Sequence, residues 1–244
     1  MKLLLNKDIK RMYGDKINSD ININQGIIKK SDFNSKKEII TTHKGVKILK
    51  INPNFRDLFF KIKRGPQIIT LKDAYYIAGE LGLSSGSIVL DCGGGSGSIT
   101  CVFANIVGSK GKVHSIERKK DFAELIKKNV DLFGLKNVKV VNSDIKDLKI
   151  KVSFDAINLD LPNPSDALDF IKTNLKNGGM LSVYTPNTTQ MTDFVNIAKE
   201  HNLILLNACE LIKRDWKVDG IICHPKFNML GHTGFILIFR KLEV

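Results

Sequence analysis

The chain has 244 residues, 43% of them hydrophobic, and carries 38 Lys and Arg against 25 Asp and Glu, a formal net charge of +13. That apolar content suffices for one large or two modest packed domains. No apolar run approaches the ~18 residues of a membrane span, and the apolar part of Met1-Lys2-Leu3-Leu4-Leu5-Asn6 is too short for a secretory leader, so a cytosolic protein is expected. The excess of positive charge points to a polyanionic partner, nucleic acid first. The four cysteines, Cys92, Cys101, Cys209 and Cys223, show no CxxC spacing, which argues against a zinc site, and they are expected as thiols unless an oxidising cytosol pairs Cys209 with Cys223.

Residues 1 to about 55 lack helical periodicity. Asp20-Ile21-Asn22-Ile23-Asn24 alternates, Glu38-Ile39-Ile40-Thr41 is β-branched, and Gly14, Gly26 and Gly45 fall at turn-like intervals, so a small β module is predicted over residues 1–63. Within it Thr41-Thr42-His43-Lys44-Gly45-Val46 reads as a polar turn between two strands. Arg56 to Arg64 carries lysines and arginines suited to phosphates, and Gly65-Pro66 marks the hinge into a larger domain, 64–244.

From Leu71 helices and strands alternate. The patterns predict a helix over 73–81, a strand over 87–90, a helix over 98–106, a strand over 112–116, a helix over 121–133 and a strand over 137–141. A fourth strand over 154–160, a helix over 165–175, a turn at Asn177-Gly178-Gly179 and a strand over 180–184 follow. The chain closes with a helix over 189–201 and strands over 203–211 and 233–239, the last two antiparallel because no helix separates them. The fold expected is α/β, a mostly parallel sheet with helices on both faces.

The chemistry is expected around Ile88-Val89-Leu90-Asp91-Cys92-Gly93-Gly94-Gly95-Ser96-Gly97-Ser98, a buried strand breaking into a glycine turn and restarting as a helix. Glycines at 93, 95 and 97 let the backbone reach positive φ and let a nucleotide-like ligand lie against main-chain N–H groups. The dinucleotide fingerprint G-x-G-x-x-G would require glycine at 98, where this chain has serine. The observed D-x-G-x-G-x-G resembles the class I S-adenosylmethionine methyltransferases, which implies a Rossmann-like, seven-stranded sheet and cofactor contacts from Asp91, Gly93, Gly95, Ser96, Gly97 and Ser98. Glu117, at the tip of the second strand, suits the two hydroxyls of a ribose, and Asp144 stands past the third, where that pattern places the adenine contact. Asp160 ends the fourth strand in Asn158-Leu159-Asp160-Leu161-Pro162-Asn163-Pro164, where two prolines stiffen the loop. A carboxylate there could orient an adenine by its amine and accept a proton from it after attack by N1.

Further segments carry a more particular resemblance. Thr42-His43-Lys44-Gly45, Arg64-Gly65-Pro66-Gln67-Ile68-Ile69 with Lys72-Asp73, Asp160-Leu161-Pro162 with Pro164, Tyr184-Thr185-Pro186 with Gln190, Arg214 with Trp216, and Met229-Leu230-Gly231-His232-Thr233-Gly234-Phe235 are similar to the tRNA (adenine-N1)-methyltransferases of the homo-oligomeric archaeal and bacterial type. The resemblance runs from about residue 38 to the end. It implies methyl transfer from S-adenosylmethionine to N1 of a T-loop adenine of tRNA, at position 58 with position 57 open as a second target, by a cytoplasmic homotetramer. It places Asp160 as the catalytic carboxylate, also touching cofactor, Gln67 at the cofactor pocket, and Tyr184, Thr185, Arg214 and His232 on the substrate side. The chain departs from the family at Asn163 and Ser165, where an acidic residue and a tryptophan are common, and at Gly94, usually a small β-branched residue. Two other classes remain open: a small-molecule or protein methyltransferase on the same fold, and a non-catalytic RNA-binding subunit.

Overall fold

The computed structural model describes residues 1–65 and 68–243. The chain divides into two compact units, Met1–Lys61 and Ile62–Val244.

The first unit contains β1 (Lys2–Asn6), β2 (Ile9–Tyr13), β3 (Ile21–Ile23), β4 (Gly26–Ile28), α1 (Lys30–Asn34), β5 (Ile39–Thr41), β6 (Lys47–Ile51) and α2 (Phe55–Phe59). The order β2-β1-β6-β5 makes an antiparallel sheet, beside which β3 and β4 pair as a hairpin. Alternation along the strands buries Leu4, Ile9, Ile40 and Ile48 against Ile21, Ile28 and Phe33. Lys50 is buried too, and its Nζ donates to the carbonyls of Phe33 and Ser35 at 2.8 and 2.6 Å, closing the open end of α1. The Thr42-His43-Lys44-Gly45 segment is the turn the sequence predicts between β5 and β6. Gly45 takes φ +78°, and His43 Nδ1 accepts from the Ile27 N–H at 2.7 Å, stitching the turn to the β3–β4 hairpin. Fourteen lysines and arginines against six carboxylates fall in residues 1–61, so this quarter of the chain holds most of the net positive charge.

The second unit runs α3 (Leu71–Glu80), β7 (Ile88–Cys92), α4 (Ser98–Val107), β8 (Lys112–Glu117), α5 (Lys120–Phe133), β9 (Val138–Asn142), β10 (Phe154–Leu159), α6 (Leu168–Asn174), β11 (Leu175–Thr185), α7 (Thr188–Ala198), β12 (Leu203–Glu210), β13 (Trp216–Asp219), β14 (Ile222–Pro225) and β15 (Phe235–Lys241). Seven strands form one sheet in the order β12-β15-β11-β10-β7-β8-β9, parallel except for β15, which runs antiparallel between β11 and β12. This is a Rossmann-like sheet. The central strands are buried over almost their whole length, as strands covered on both faces must be. The helix α4 is apolar nearly all round and buried. The amphipathic α5 buries Ala123, Ile126 and Val130 at helical spacing and stops at Gly134, whose φ of +67° makes the C-terminal cap.

Three local expectations differ from the structure. The Asn177-Gly178-Gly179 turn is a loop-out within β11: the partner of Phe154 is Leu175, that of Ala156 is Met180, and Gly178 at φ +78° turns the excursion. The helix expected from Ser165 begins as a 3-10 turn, Pro164–Ala167, and becomes α-helical at Leu168. The hairpin β13–β14 lies where no strand is predicted, although Asp219-Gly220 between β-branched residues is a turn signature and Gly220 has φ +55°. The four cysteines are free thiols. Among the described residues no helix is long and apolar enough to cross a membrane.

Candidate active site

The glycine turn is seated on the neighbouring strand end. The N–H groups of Gly93 and Gly94 donate to the Ile116 carbonyl at 2.9 and 3.1 Å. Gly93, Gly95 and Gly97 have φ of +86°, +53° and +77°. Position 93 needs glycine for space as well, since a Cβ there would fall on the Asp160 carbonyl. At Gly94 a Cβ would strike Ser115 Oγ and Ile126 Cδ1, so the volume of the family's usual β-branched residue is already filled from β8 and α5.

Carboxylates gather around this turn because parallel strands end on one side of the sheet. Glu117, at the end of β8, accepts from the Gly95 N–H at 3.0 Å and the Lys119 N–H at 2.8 Å and is almost fully buried. Asp144 follows β9 and caps the 3-10 turn Ile145–Asp147 through the Lys146 N–H at 3.1 Å. Asp160 follows β10, its N–H donating to the Cys92 carbonyl at 2.9 Å. Burial, followed by the negative charges of Asp91 and Glu117, pushes its carboxyl pKa up to about 7.

Gly93, Gly95, Ser96, Glu117, Asp144 and Asp160 share one cavity of about 410 Å³, the size class of a small-molecule or cofactor pocket. The sequence also missed parts of its wall: Phe122 from α5, Leu161 and Pro162 after Asp160, and Pro186 with Gln190 at the start of α7. Leu161, Pro162, Pro186 and Gln190 carried a signal, their places in the Asp160-Leu161-Pro162 segment and in Tyr184-Thr185-Pro186 with Gln190.

Asp91 lies beneath the cavity and does not line it. Cross-strand register sets Ser115, Asp91, Asn158 and Ser182 side by side on β8, β7, β10 and β11. Asn158 Nδ2 donates to Asp91 at 2.9 Å, the Thr100 hydroxyl of α4 donates to its other oxygen, and Ser182 Oγ donates to Asn158 Oδ1 at 2.7 Å. Burial still raises the Asp91 pKa to about 6 against these donors. The network ties four strands to α4 directly below the glycine turn. Asp91→Ala is expected to lose about 2–4 kcal/mol in chemical denaturation, because it strands the Thr100 and Asn158 donors in a dry interior. Gly97 and Ser98 also lie outside the cavity wall, as cap and first residue of α4.

The predicted substrate-side residues are spread more widely. Tyr184 and Thr185 end β11 and are buried, and Gly234 leaves room for the Tyr184 ring, on which a Cβ would fall. Burial, with Asp73 close by, holds the Tyr184 phenol above its ordinary range although Thr233 hydrogen-bonds it. Lys72 Nζ donates to Asp73 at 2.6 Å and to Thr233 Oγ1 and the Leu211 carbonyl at 2.8 Å, holding the segment before β15 against α3. His232 pairs with Glu210 at 2.7 Å, which raises its pKa. Arg214 is exposed in the loop between β12 and β13. None of these four lines the cavity. Gln67 lies outside the described residues; Gly65, two positions before it, is in the cavity wall.

The adenosyl half of S-adenosylmethionine fits this set: glycines without side chains that let a ligand lie close to the backbone, a carboxylate for a diol, and an acid past the third strand. Comparison with known proteins agrees. Residues 45–230 match the family described as "tRNA methyltransferase complex GCD14 subunit". A curated relative, the tRNA (adenine(57)-N(1)/adenine(58)-N(1))-methyltransferase TrmI of Methanocaldococcus jannaschii, is 27% identical across 98% of this chain and 94% of its own. The crystal structure of tRNA (m1A58) methyltransferase TrmI from Aquifex aeolicus matches with TM-score 0.82 and 25% identity over 100% of this chain and 97% of that one. A SAM-dependent O-methyltransferase from Thermotoga maritima matches with TM-score 0.88 and 29% identity over 100% and 93%.

Proposed function

The chain belongs to the GCD14 family of tRNA methyltransferases, and on that premise we propose that it methylates N1 of a T-loop adenine of tRNA, at position 58 and also at 57 where that base is adenine. S-adenosylmethionine, when bound, supplies the methyl group, whose bond to sulfur breaks with the electron pair left on sulfur. Glu117 would hold the ribose, Asp144 the adenine, and the side-chain-free 93–97 turn would leave room for the cofactor against the backbone.

The protein's own work is placement and one proton. Asp160 orients the target base by accepting from its exocyclic amine. Once N1 has formed its bond to carbon, the amine is acidic, and its proton passes to the Asp160 carboxylate. The observation that carries this reading is Asp160 itself: partly buried, lining the cofactor cavity with its main chain against Gly93, and with a carboxyl pKa near 7, where it can both take and release a proton. Tyr184, Thr185, His232 and Arg214 form the RNA side, and the basic unit 1–61 steers the polyanion.

Purified protein, tRNA and methyl-labelled S-adenosylmethionine should give 1-methyladenosine on nucleoside mass analysis, with primer extension stopping at 58 and, where adenine stands there, at 57. Label in small molecules or protein and none in RNA would favour the O-methyl chemistry named for the Thermotoga relative.

The assembly that goes with this reading is a cytoplasmic homotetramer. The β13–β14 hairpin supports it, with Trp216 53% and Val218 72% exposed on one side of β13 and Phe227 exposed just beyond. The double variant Trp216→Lys, Val218→Lys is expected to drop the mass measured by light scattering to that of a dimer or monomer with unchanged circular dichroism; an unchanged mass would place the interface elsewhere.

A further inference from the structure

A hydrogen bond from one side chain of the first turn of α7 joins it to the loop after β10. Asn187 and Gln190 stand at the N-cap and third positions of α7, the spacing of a capping box, in which the glutamine amide turns back onto the N-cap N–H. Only half of that box forms: the Gln190 N–H donates to Asn187 Oδ1 at 2.9 Å. The Gln190 amide crosses instead to the Asp160 loop, where Nε2 donates to the Pro162 carbonyl at 3.1 Å. A carbonyl only accepts, so this contact dictates which end of the amide is which and turns Oε1 away from Pro162. Gln190 Oε1 is enclosed and without a hydrogen-bond partner, an unmet acceptor that folded proteins seldom keep without a use. Gln190 lines the same cavity as Asp160.

We propose that Gln190 is a specificity-determining residue whose Oε1 accepts one hydrogen of the target base's exocyclic amine while Asp160 takes the other, so that the site selects a 6-aminopurine. The inference rests on the RNA methyltransferase reading above. An adenine brings two amine hydrogens to two acceptors. A 6-oxopurine would set a third acceptor against Gln190 Oε1 and the ionised Asp160 carboxylate and is disfavoured. The α7 cap and the Pro162 contact fix which end of the amide accepts, and because Oε1 is covered the base reaches it by displacing the groups that cover it.

The test compares full-length tRNA carrying adenine at the target position with the same tRNA carrying unsubstituted purine, which lacks the amine. Affinities for the intact protein and for Gln190→Met are read by fluorescence anisotropy. Wild type should prefer the adenine tRNA, and the variant should lose about ten- to hundredfold of that preference through weaker binding of adenine tRNA alone. Its affinity for S-adenosylmethionine by calorimetry should stay within about twofold of wild type. Equal weakening toward both RNAs, or an undiminished preference, overturns the assignment. A wild-type protein that places no methyl on the adenine tRNA overturns the proposed activity and this assignment with it.

Discussion

Asp160→Asn is expected to cut methyl transfer to tRNA by about 10²–10⁴-fold and at the same time to raise the melting temperature. Both effects come from one fact, that the carboxyl is held where its charge is disfavoured, with a pKa near 7 set by burial and by Asp91 and Glu117. In the unfolded chain an aspartate titrates near 3.9. The raised folded-state pKa therefore means that wild-type protein loses stability as pH climbs from about 4 to about 7 and stays at that lower level above. Asparagine has no charge to bury. The variant should match wild type near pH 4 and exceed it above pH 7 by on the order of 1–2 kcal/mol, which is about 2–8 °C for a chain of this size. The activity of wild type should run the other way. Because the base must be ionised, log kcat/KM should rise with unit slope below about pH 7 and level off above it. Calorimetry at several pH values and single-turnover rates check the two halves independently. A variant that keeps the wild-type rate would remove Asp160 from the chemistry, and one that melts lower than wild type at pH 8 would contradict the burial argument.

The legibility of this chain divides along physical lines. Helices and parallel strands of the second unit could be read from periodicity because each is buried on one face or on both, and burial writes itself into spacing. The Asp219-Gly220 hairpin escaped because its strands are exposed, so their apolar residues carry no alternation toward this chain's own core. At the site, residues whose role follows from strand-end topology fell together in one cavity: the glycine turn, Glu117, Asp144 and Asp160. Asp91 did not, because a residue in mid-motif is placed by cross-strand register, and its neighbours Asn158 and Ser182 are about 70 and 90 positions away in the chain. Thr42-His43-Lys44-Gly45 is the reverse case, a segment singled out by resemblance whose polar groups are spent on stitching a turn to a hairpin. His232 and Lys72 likewise hold neighbouring segments in place.

Gly93→Ala should be the most damaging single-methyl change in the molecule, and Gly134→Ala is its control. Both glycines sit at positive φ, +86° and +67°, so each alanine carries a backbone strain of about 1–2 kcal/mol. They differ in what surrounds the added carbon. At 134 it meets open space past the end of α5, whereas at 93 it meets the main-chain carbonyl of Asp160, which cannot rotate away as a side-chain end could. Relief requires β7 and the loop after β10 to part. That separation would shift the carboxylate proposed to be catalytic and widen the cradle proposed for the cofactor, and a misplacement of about 1 Å is enough to cost about 10²-fold in rate. The expected result is a loss of measurable S-adenosylmethionine binding by calorimetry and a melting temperature well below that of Gly134→Ala, which should bind the cofactor as wild type does. If both alanines bind cofactor equally and melt together, the close approach of Gly93 to Asp160 is not what holds the donor and the base in line.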